Sequence, residues 1–289
     1  MNSLSIDHVI LVVSDLQVAS QQFSQLGFTV IPGGVHSGGS THNALVPFPD
    51  GSYLELLSTT RSSRLKFLFM LKRLRLLSLY IGDDTAINRR LTTDLACGIG
   101  IADFCMCAGD LGKEISLLRA RGEHFTDPFP GGRRRPDDQE ISWLTSVPRT
   151  LDLPFLIEDI TPRELRLPMV DDDYHKNGIL GISGLAILVS NLVESMAHYR
   201  ALLGDDPVSK AQYTQPGTQT SEFYNNNRII TILSPLPDNS ALRKPLKYRS
   251  ARPVGVFFRS VENGAREPLC LTYLPDRGAT LSRSKILFP

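Results

Sequence analysis

The chain has 289 residues, 42% hydrophobic and 21% charged, an ordinary globular composition with room for two domains. A formal net charge of +1 leaves no overall field to hold nucleic acid. Four cysteines (Cys97, Cys105, Cys107, Cys270) form no CxxC pair, and MNSLSIDHV lacks a basic stretch followed by an apolar one; both point to a reducing, cytoplasmic setting without a secretory signal.

In chain order, Ile6 to Val13 alternates and is rich in β-branched residues, the pattern of a strand. Its second polar residue, His8, stands among Val, Ile and Leu, either as a hydrogen-bonded wall residue or as part of a site. Ser14-Asp15 offers an N-cap to a helix with Leu16, Ala19, Phe23 and Leu26 at helical spacing, and Gly27 closes it. Phe28 to Ile31 restarts as a strand. PGGVHSGGST reads as a loop, and Asn43–Phe48 and Ser52–Ser58 read as two strands joined across Pro-Asp-Gly. The unit is β-α-β-β-β over about residues 6–58.

From Arg61 to Ile81 the chain carries six basic residues and no acid. Lys66, Lys72, Arg73 and Arg75 break the apolar run, which argues against a transmembrane span. On a helical wheel the cations scatter. A helical lid or packing insertion, membrane-surface contact and a subunit interface all remain open for this segment.

The βαβββ pattern then recurs. Ile101 to Gly122 supplies a strand, a helix start at Gly109-Asp110-Leu111 and a glycine stop. RRRPDDQEISWLTSV supplies a hairpin around Pro136-Asp137-Asp138, and Pro154–Asp159 a last strand. After LPMVDDDYHKNG a third unit opens, in which Val189-Ser190-Asn191-Leu192 lies on Val13-Ser14-Asp15-Leu16, Gly204 on Gly27, and NNNRIITILSP on DGSYLELLS. RPVGVFFRSV and LCLTYLP make a partial fourth.

Paired βαβββ units, together with DHVILVVSDL, GFTVIPGGVHSGGSTHNALVPFPDGSYLELL, RRRPD…ISW and PFLIED, resemble the vicinal oxygen chelate superfamily. The likeness is to its glyoxalase-like branch, related to glyoxalase I, extradiol dioxygenases and bleomycin-binding proteins. It covers most of residues 5–165 and weakens after 180. It implies an α+β fold of cupped mixed sheets in two glyoxalase-like domains. The first spans 1–165, with the basic Leu-rich insertion at about 60–96, and a degenerate second spans 178–289. The resemblance further implies a cleft whose metal ligands come from the first and last strands of each unit. Those positions hold His8, Glu55, Asp103 and Glu158; in the third unit they hold Gly184 and Thr231, so the implied site belongs to the first domain.

One nitrogen with several carboxylate oxygens suits Mn, Fe, Ni or Zn, and such an ion polarises neighbouring substrate oxygens. The other course is a polar cleft without metal, in which His8 and Glu55 act as a base and its orienting partner. His42 and Asn43 lead into a strand that lines the cleft mouth, and an Arg133 guanidinium fork suits a substrate carboxylate. His36 and His42, six apart, match no two-histidine motif of one helix. GxxxxGK[ST] is absent, and no interleaved basic and aromatic pattern suggests nucleic acid.

The expectation is an isomerase, lyase or dioxygenase-like enzyme acting on a small oxygen-rich metabolite; the alternative is a protein that binds and sequesters such a molecule. A homodimer is compatible with either.

Overall fold

The structure, a computed structural model, describes residues 4–82, 85–208, 216–247, 249–261, 269–274 and 278–283. The first unit folds as β1 (Ser5–Val12), α1 (Leu16–Gln25), β2 (Ile31–His36), β3 (Thr41–Pro47) and β4 (Tyr53–Thr59). Asp15 caps α1 by accepting from the Val18 amide, and Gly27 follows with φ 86°, a left-handed turn that glycine adopts without strain. The insertion forms α2 (Ser62–Arg73), α3 (Leu77–Ile81) and α4 (Ala86–Cys97). The middle unit is β5 (Gly100–Cys107), α5 (Leu111–Ala120), β6 (Phe129–Arg134), β7 (Glu140–Ser146) and β8 (Phe155–Asp159), closed by the single turn α6 (Arg163–Arg166).

These eight strands close into a barrel in the order β1-β4-β3-β2-β6-β7-β8-β5. Parallel pairing of β1 with β4 and of β5 with β8 joins each unit's first and last strands, while antiparallel β1–β5 and β2–β6 seams join the two units. Closure removes exposed edges, and eight strands leave an interior wide enough for side chains or one small ligand. A six-stranded sheet packs outside: β10-β11-β9-β12-β13-β14, with β9 (Ile179–Val189), α7 (Leu192–Leu203), β10 (Thr218–Asn225), β11 (Arg228–Pro235), β12 (Ala251–Ser260), β13 (Leu269–Leu274) and β14 (Gly278–Arg283). Asn191 caps α7, as Asp15 does α1 and Asp110 does α5.

Strand alternation sorts β1 between two cores. Ile6, Val9 and Leu11 face outward into the main core, with Phe23 of α1, Ile115 of α5 and Leu185, Ile187 and Phe258 of the second sheet. Ile10 turns inward with Leu57, Cys105, Phe155 and Ile157. Both faces are therefore buried, which is why the strand reads as nearly continuous apolar sequence with one histidine in it.

The segment PGGVHSGGST differs from its reading as a loop: Ile31–His36 is a strand that closes the barrel. Gly34, at φ 140°, leaves room where a Cβ would sit 2.1 Å from the Arg134 carbonyl oxygen, so these glycines admit the backbone of β6 rather than make a turn.

The insertion packs on the barrel. Leu65 and Leu68 of α2 and Leu95 and Ala96 of α4 are buried with Val12 and Ala102. Ile87, Asn88, Arg90, Leu91 and Asp94 of α4 roof the interior. No helix among the described residues is long and apolar enough to cross a membrane.

Candidate functional site

The barrel encloses a cavity of about 200 Å³, smaller than the roughly 300–1,000 Å³ typical of drug-sized sites. Ile10, Leu57, Phe129, Trp143, Phe155 and Ile157 line its walls, and His8, His36, Asn43, Glu55 and Arg133 bring polar atoms into it. Exposed Ser37 and Gly38, after β2, and Asn88, on α4, mark its mouth.

The parallel register sets His8 beside Tyr53 and Ile10 beside Glu55. The His8 ring stacks on Tyr53 at 4.6 Å between centroids, and its Nε2 lies 3.5 Å from Glu55 Oε2. Its Nδ1 lies 2.7 Å from Asp7 Oδ1. Asp7 is fully buried; burial opposes its ionisation, but the charge of Arg166 and the hydrogen bonds from His8 and Arg166 hold its carboxyl well below the ordinary value. An ionised carboxylate only accepts hydrogen bonds, so Nδ1 carries a proton and Nε2 is the atom turned to the cavity. Asp7 also accepts from Arg163 Nη1 at 2.6 Å and from Arg166 Nη1 and Nη2 at 2.9 and 3.0 Å. Arg166 Nε donates to Asp159 at 2.5 Å, so α6 plugs this end of the barrel.

Glu55 sits between two imidazoles. Asn43 Nδ2 donates to its Oε1 at 2.7 Å, and His36 Nε2 lies 3.5 Å from the same oxygen. Burial alone would raise the Glu55 carboxyl, but His36, His8, the Asn43 hydrogen bond and Arg133 outweigh it and hold it below its ordinary value. Burial lowers His36, joined by repulsion from Arg133 and the other histidines and opposed by Glu55. The result is an ionised carboxylate beside an imidazole biased toward its neutral form, in a largely apolar chamber. Gly33 is part of this arrangement, because a Cβ there would lie 2.1 Å from Asn43 Oδ1.

The residues singled out in the sequence divide here. His8, Asn43, Glu55 and Arg133 face the one cavity. His42 does not: in the alternation of β3 it points outward, into a separate depression shared with Ser14, Ser58 and Thr60. Its place is taken by His36, whose signal in the sequence was its position at the end of a glycine-rich stretch now seen to be a strand.

The four residues of the metal set are not brought together. Asp103 faces the cavity, but Arg90 Nε and Nη2 hold its two oxygens at 2.5 and 2.7 Å, and Arg249 Nη2 reaches Oδ1 at 3.1 Å. Glu158 lies on the other side of β8 from cavity-lining Phe155 and Ile157 and accepts from the Leu111 amide at 2.8 Å, at the start of α5. One position of strand parity separates the two faces. Among the described residues no group of three or more His, Cys, Asp or Glu side chains is placed to hold a metal ion. The implied Mn, Fe, Ni or Zn ion is not matched by these four donors.

Residues 6–203 match the family described as Glyoxalase-like domain. The chain therefore belongs to the glyoxalase-like domain family, within the vicinal oxygen chelate superfamily, whose members are mostly small-molecule enzymes. Its fold is similar to that of a hypothetical protein from Staphylococcus aureus, at 16% identity and TM-score 0.68 over 98% of this chain and 100% of that one. It is also similar to a mutant of 4-hydroxymandelate synthase from Streptomyces coelicolor, at 14% identity and TM-score 0.52 over 89% of this chain and 71% of that one. No curated protein matches the chain.

Proposed function

We propose that the barrel of residues 1–165 is the catalytic chamber of a small-molecule enzyme and that Glu55 is its base. The observation that carries this reading is the Glu55 carboxylate set between two imidazoles, 3.5 Å from each, in a mostly apolar cavity with one polar mouth. In the reaction proposed, Glu55 removes a proton from carbon next to a carbonyl. The C–H electron pair becomes a C=C bond as the C=O π pair moves onto oxygen to give an enolate, and return of the proton to the same carbon completes exchange. With an α-hydroxyl, its return to the neighbouring carbon while the hydroxyl proton passes to the first oxygen completes isomerisation. His8, its Nδ1 fixed by Asp7, orients Glu55 and presents Nε2 to the substrate oxygens. Asn43 holds the carboxylate in place. The described residues 179–283 supply no side chain to the cavity lining, and their role in this reading is to support the barrel from outside.

The test is solvent deuterium exchange followed by NMR with dihydroxyacetone, glyceraldehyde, pyruvate and 2-oxobutyrate as carbon acids. Wild-type protein is expected to speed exchange on at least one. Glu55→Gln should lower that rate by about 10²–10⁴-fold, the usual weight of a positioned base, with the fold intact by circular dichroism. Saturable binding without exchange would turn the reading to sequestration, and an unchanged rate in Glu55→Gln would remove its base.

Arg133 gives the substrate a charge in this reading. Among the guanidinium groups lining the cavity, Arg90 pairs with Asp103 and Arg166 with Asp7 and Asp159. Arg133, 5% exposed, forms no ion pair with a carboxylate of the described residues; its Nη2 donates to the Arg166 carbonyl at 2.5 Å and its buried Nε has no partner. A buried donor left unmatched costs about 1–3 kcal/mol, more when charged, and a substrate carboxylate would remove that cost. Benzoate and hexanoate should therefore bind roughly 10- to 100-fold more tightly than benzamide and hexanamide by calorimetry. Arg133→Gln should abolish the preference and Arg133→Lys should retain part of it; acids and amides of equal affinity would refute the assignment.

A further inference from the structure

We propose that the α2–α3 hairpin is a docking surface for an anionic lipid bilayer, on which the protein lies without spanning it. The first observation is apolar. α2 buries Leu65, Leu68 and Leu71 and packs half-buried Phe69 against the same cluster. Phe67, Met70 and Leu74 recur on another side of it, 40%, 48% and 57% exposed, and Leu76, Leu79 and Tyr80 follow at 41%, 77% and 48%. α3 buries none of its residues. Phe67 and Tyr80 meet edge to face at 5.4 Å, which ties the exposed side chains of the two helices into one surface. Six large apolar side chains within 14 residues, exposed together, are far from the scattered single ones a monomer surface normally shows.

The second observation is charge. Residues 61–81 hold six of the chain's cations and no acid, in a protein whose formal net charge is +1; Asp83 and Asp84 follow, outside the described residues. Arg61, Lys66, Arg73 and Arg75 are exposed beside the apolar side chains. Arg75, with φ 60°, turns the chain between α2 and α3; the cations belong to α2, its N-cap and this turn, and α3 carries none. The wheel that scatters them describes a lone helix; in the folded hairpin one side of α2 is used up against the barrel, and the rest presents aromatic and aliphatic side chains among cations. That is the composition of an interfacial element, with long Lys and Arg stems able to reach the headgroups.

Charge also selects among occupants. A second copy meeting this face about a two-fold axis would set its own exposed Arg61, Lys66, Arg73 and Arg75 against these four. An anionic bilayer supplies the complementary sign and takes up the apolar side chains as well. This inference is independent of the chemistry inside the barrel.

The experiment is co-sedimentation of the full chain with vesicles of phosphatidylcholine alone and of phosphatidylcholine with about one-third phosphatidylserine, the anionic lipid whose surface attraction is at issue. Binding is expected to the phosphatidylserine vesicles and to weaken as salt rises. The exposed substitutions Lys66→Gln, Arg73→Gln and Arg75→Gln together should lower the partition coefficient by on the order of 100-fold, from about fivefold for each cation near the surface. Leu79→Ser with Phe67→Ser should lower it with the charges intact. Equal binding to both vesicles, or no binding to either, overturns the proposal. So does self-association, seen by sedimentation velocity and lost in Leu79→Ser, in protein that ignores the vesicles.

Discussion

Asp7→Asn is expected to destabilise the protein by about 3–5 kcal/mol, the cost of removing one member of a buried ion-pair cluster. Asp7 has no exposed surface and receives hydrogen bonds from Arg163, Arg166 and His8. The amide leaves Arg166, 3% exposed, with Asp159 and the Tyr53 hydroxyl alone, and it presents an NH₂ toward donors that need an acceptor. Urea unfolding at pH 7 measures the loss. A second consequence follows at the cavity, because Nδ1 of His8 is no longer held by a carboxylate and the exchange reaction of Glu55 should slow.

The pH dependence of this effect has a definite sign. Asp7 is depressed in the folded state, against burial, by Arg166 and His8. Its contribution is therefore complete above the unfolded value of about 3.9 and is lost as pH falls below that toward the folded value. The stability difference between wild type and Asp7→Asn should be constant from about pH 7 to 5 and should narrow below about pH 4. Arg163 and Arg166 are both raised by Asp7, against the pull of burial, the same pair energy seen from the cationic side. A difference that stays level on acidification would mean that Asp7 does not carry this charge.

Much of the architecture is legible in the residues, and the reason is local. Asp15, Asp110 and Asn191 each precede a helix and accept from an amide in its first turn, so the cap that announces the helix in sequence is the cap that starts it. Gly27, Gly122 and Gly204 lie at the corresponding exits with φ 86°, 92° and 75°. The strand at Ile31–His36 is not legible, because proline and glycine signal a turn unless β6 is known to be pressed against Gly34. The site divides in the same way. His8 and Glu55 share a cavity because β1 and β4 pair in parallel, which the repeat implies. Asp103 also reaches the cavity, but nothing local announces that Arg90, arriving from the insertion, and Arg249, from beyond the third unit, claim its carboxylate. Glu158 turns on a single position of strand parity. His36 is visible as a residue, but the loop reading hides that it faces the cavity.

Asp103→Asn is the companion to Asp7→Asn on the neighbouring strand, and a loss of similar size, about 3–5 kcal/mol, is expected. Asp103, 1% exposed, is the shared acceptor of Arg90 and Arg249, both 3% exposed. Arg249 has a second carboxylate in Asp94; Arg90 has none among the described residues and keeps the Leu153 carbonyl and the Phe155 ring, so the uncompensated charge falls on the helix that roofs the cavity. The loss should be concentrated in α4, seen as faster amide hydrogen exchange over residues 86–97 than elsewhere in the barrel. The double replacement Arg90→Met with Asp103→Leu discriminates a charge effect from a packing one. It removes both members of the buried pair, an exchange that is often neutral in stability, and it should recover a good part of what Asp103→Asn loses, with Arg249 keeping Asp94 and the Ala102 carbonyl at 2.9 Å. If the double variant unfolds in less urea than Asp103→Asn, the aliphatic stem and fork of Arg90 hold α4 by packing, and the electrostatic account of the roof fails.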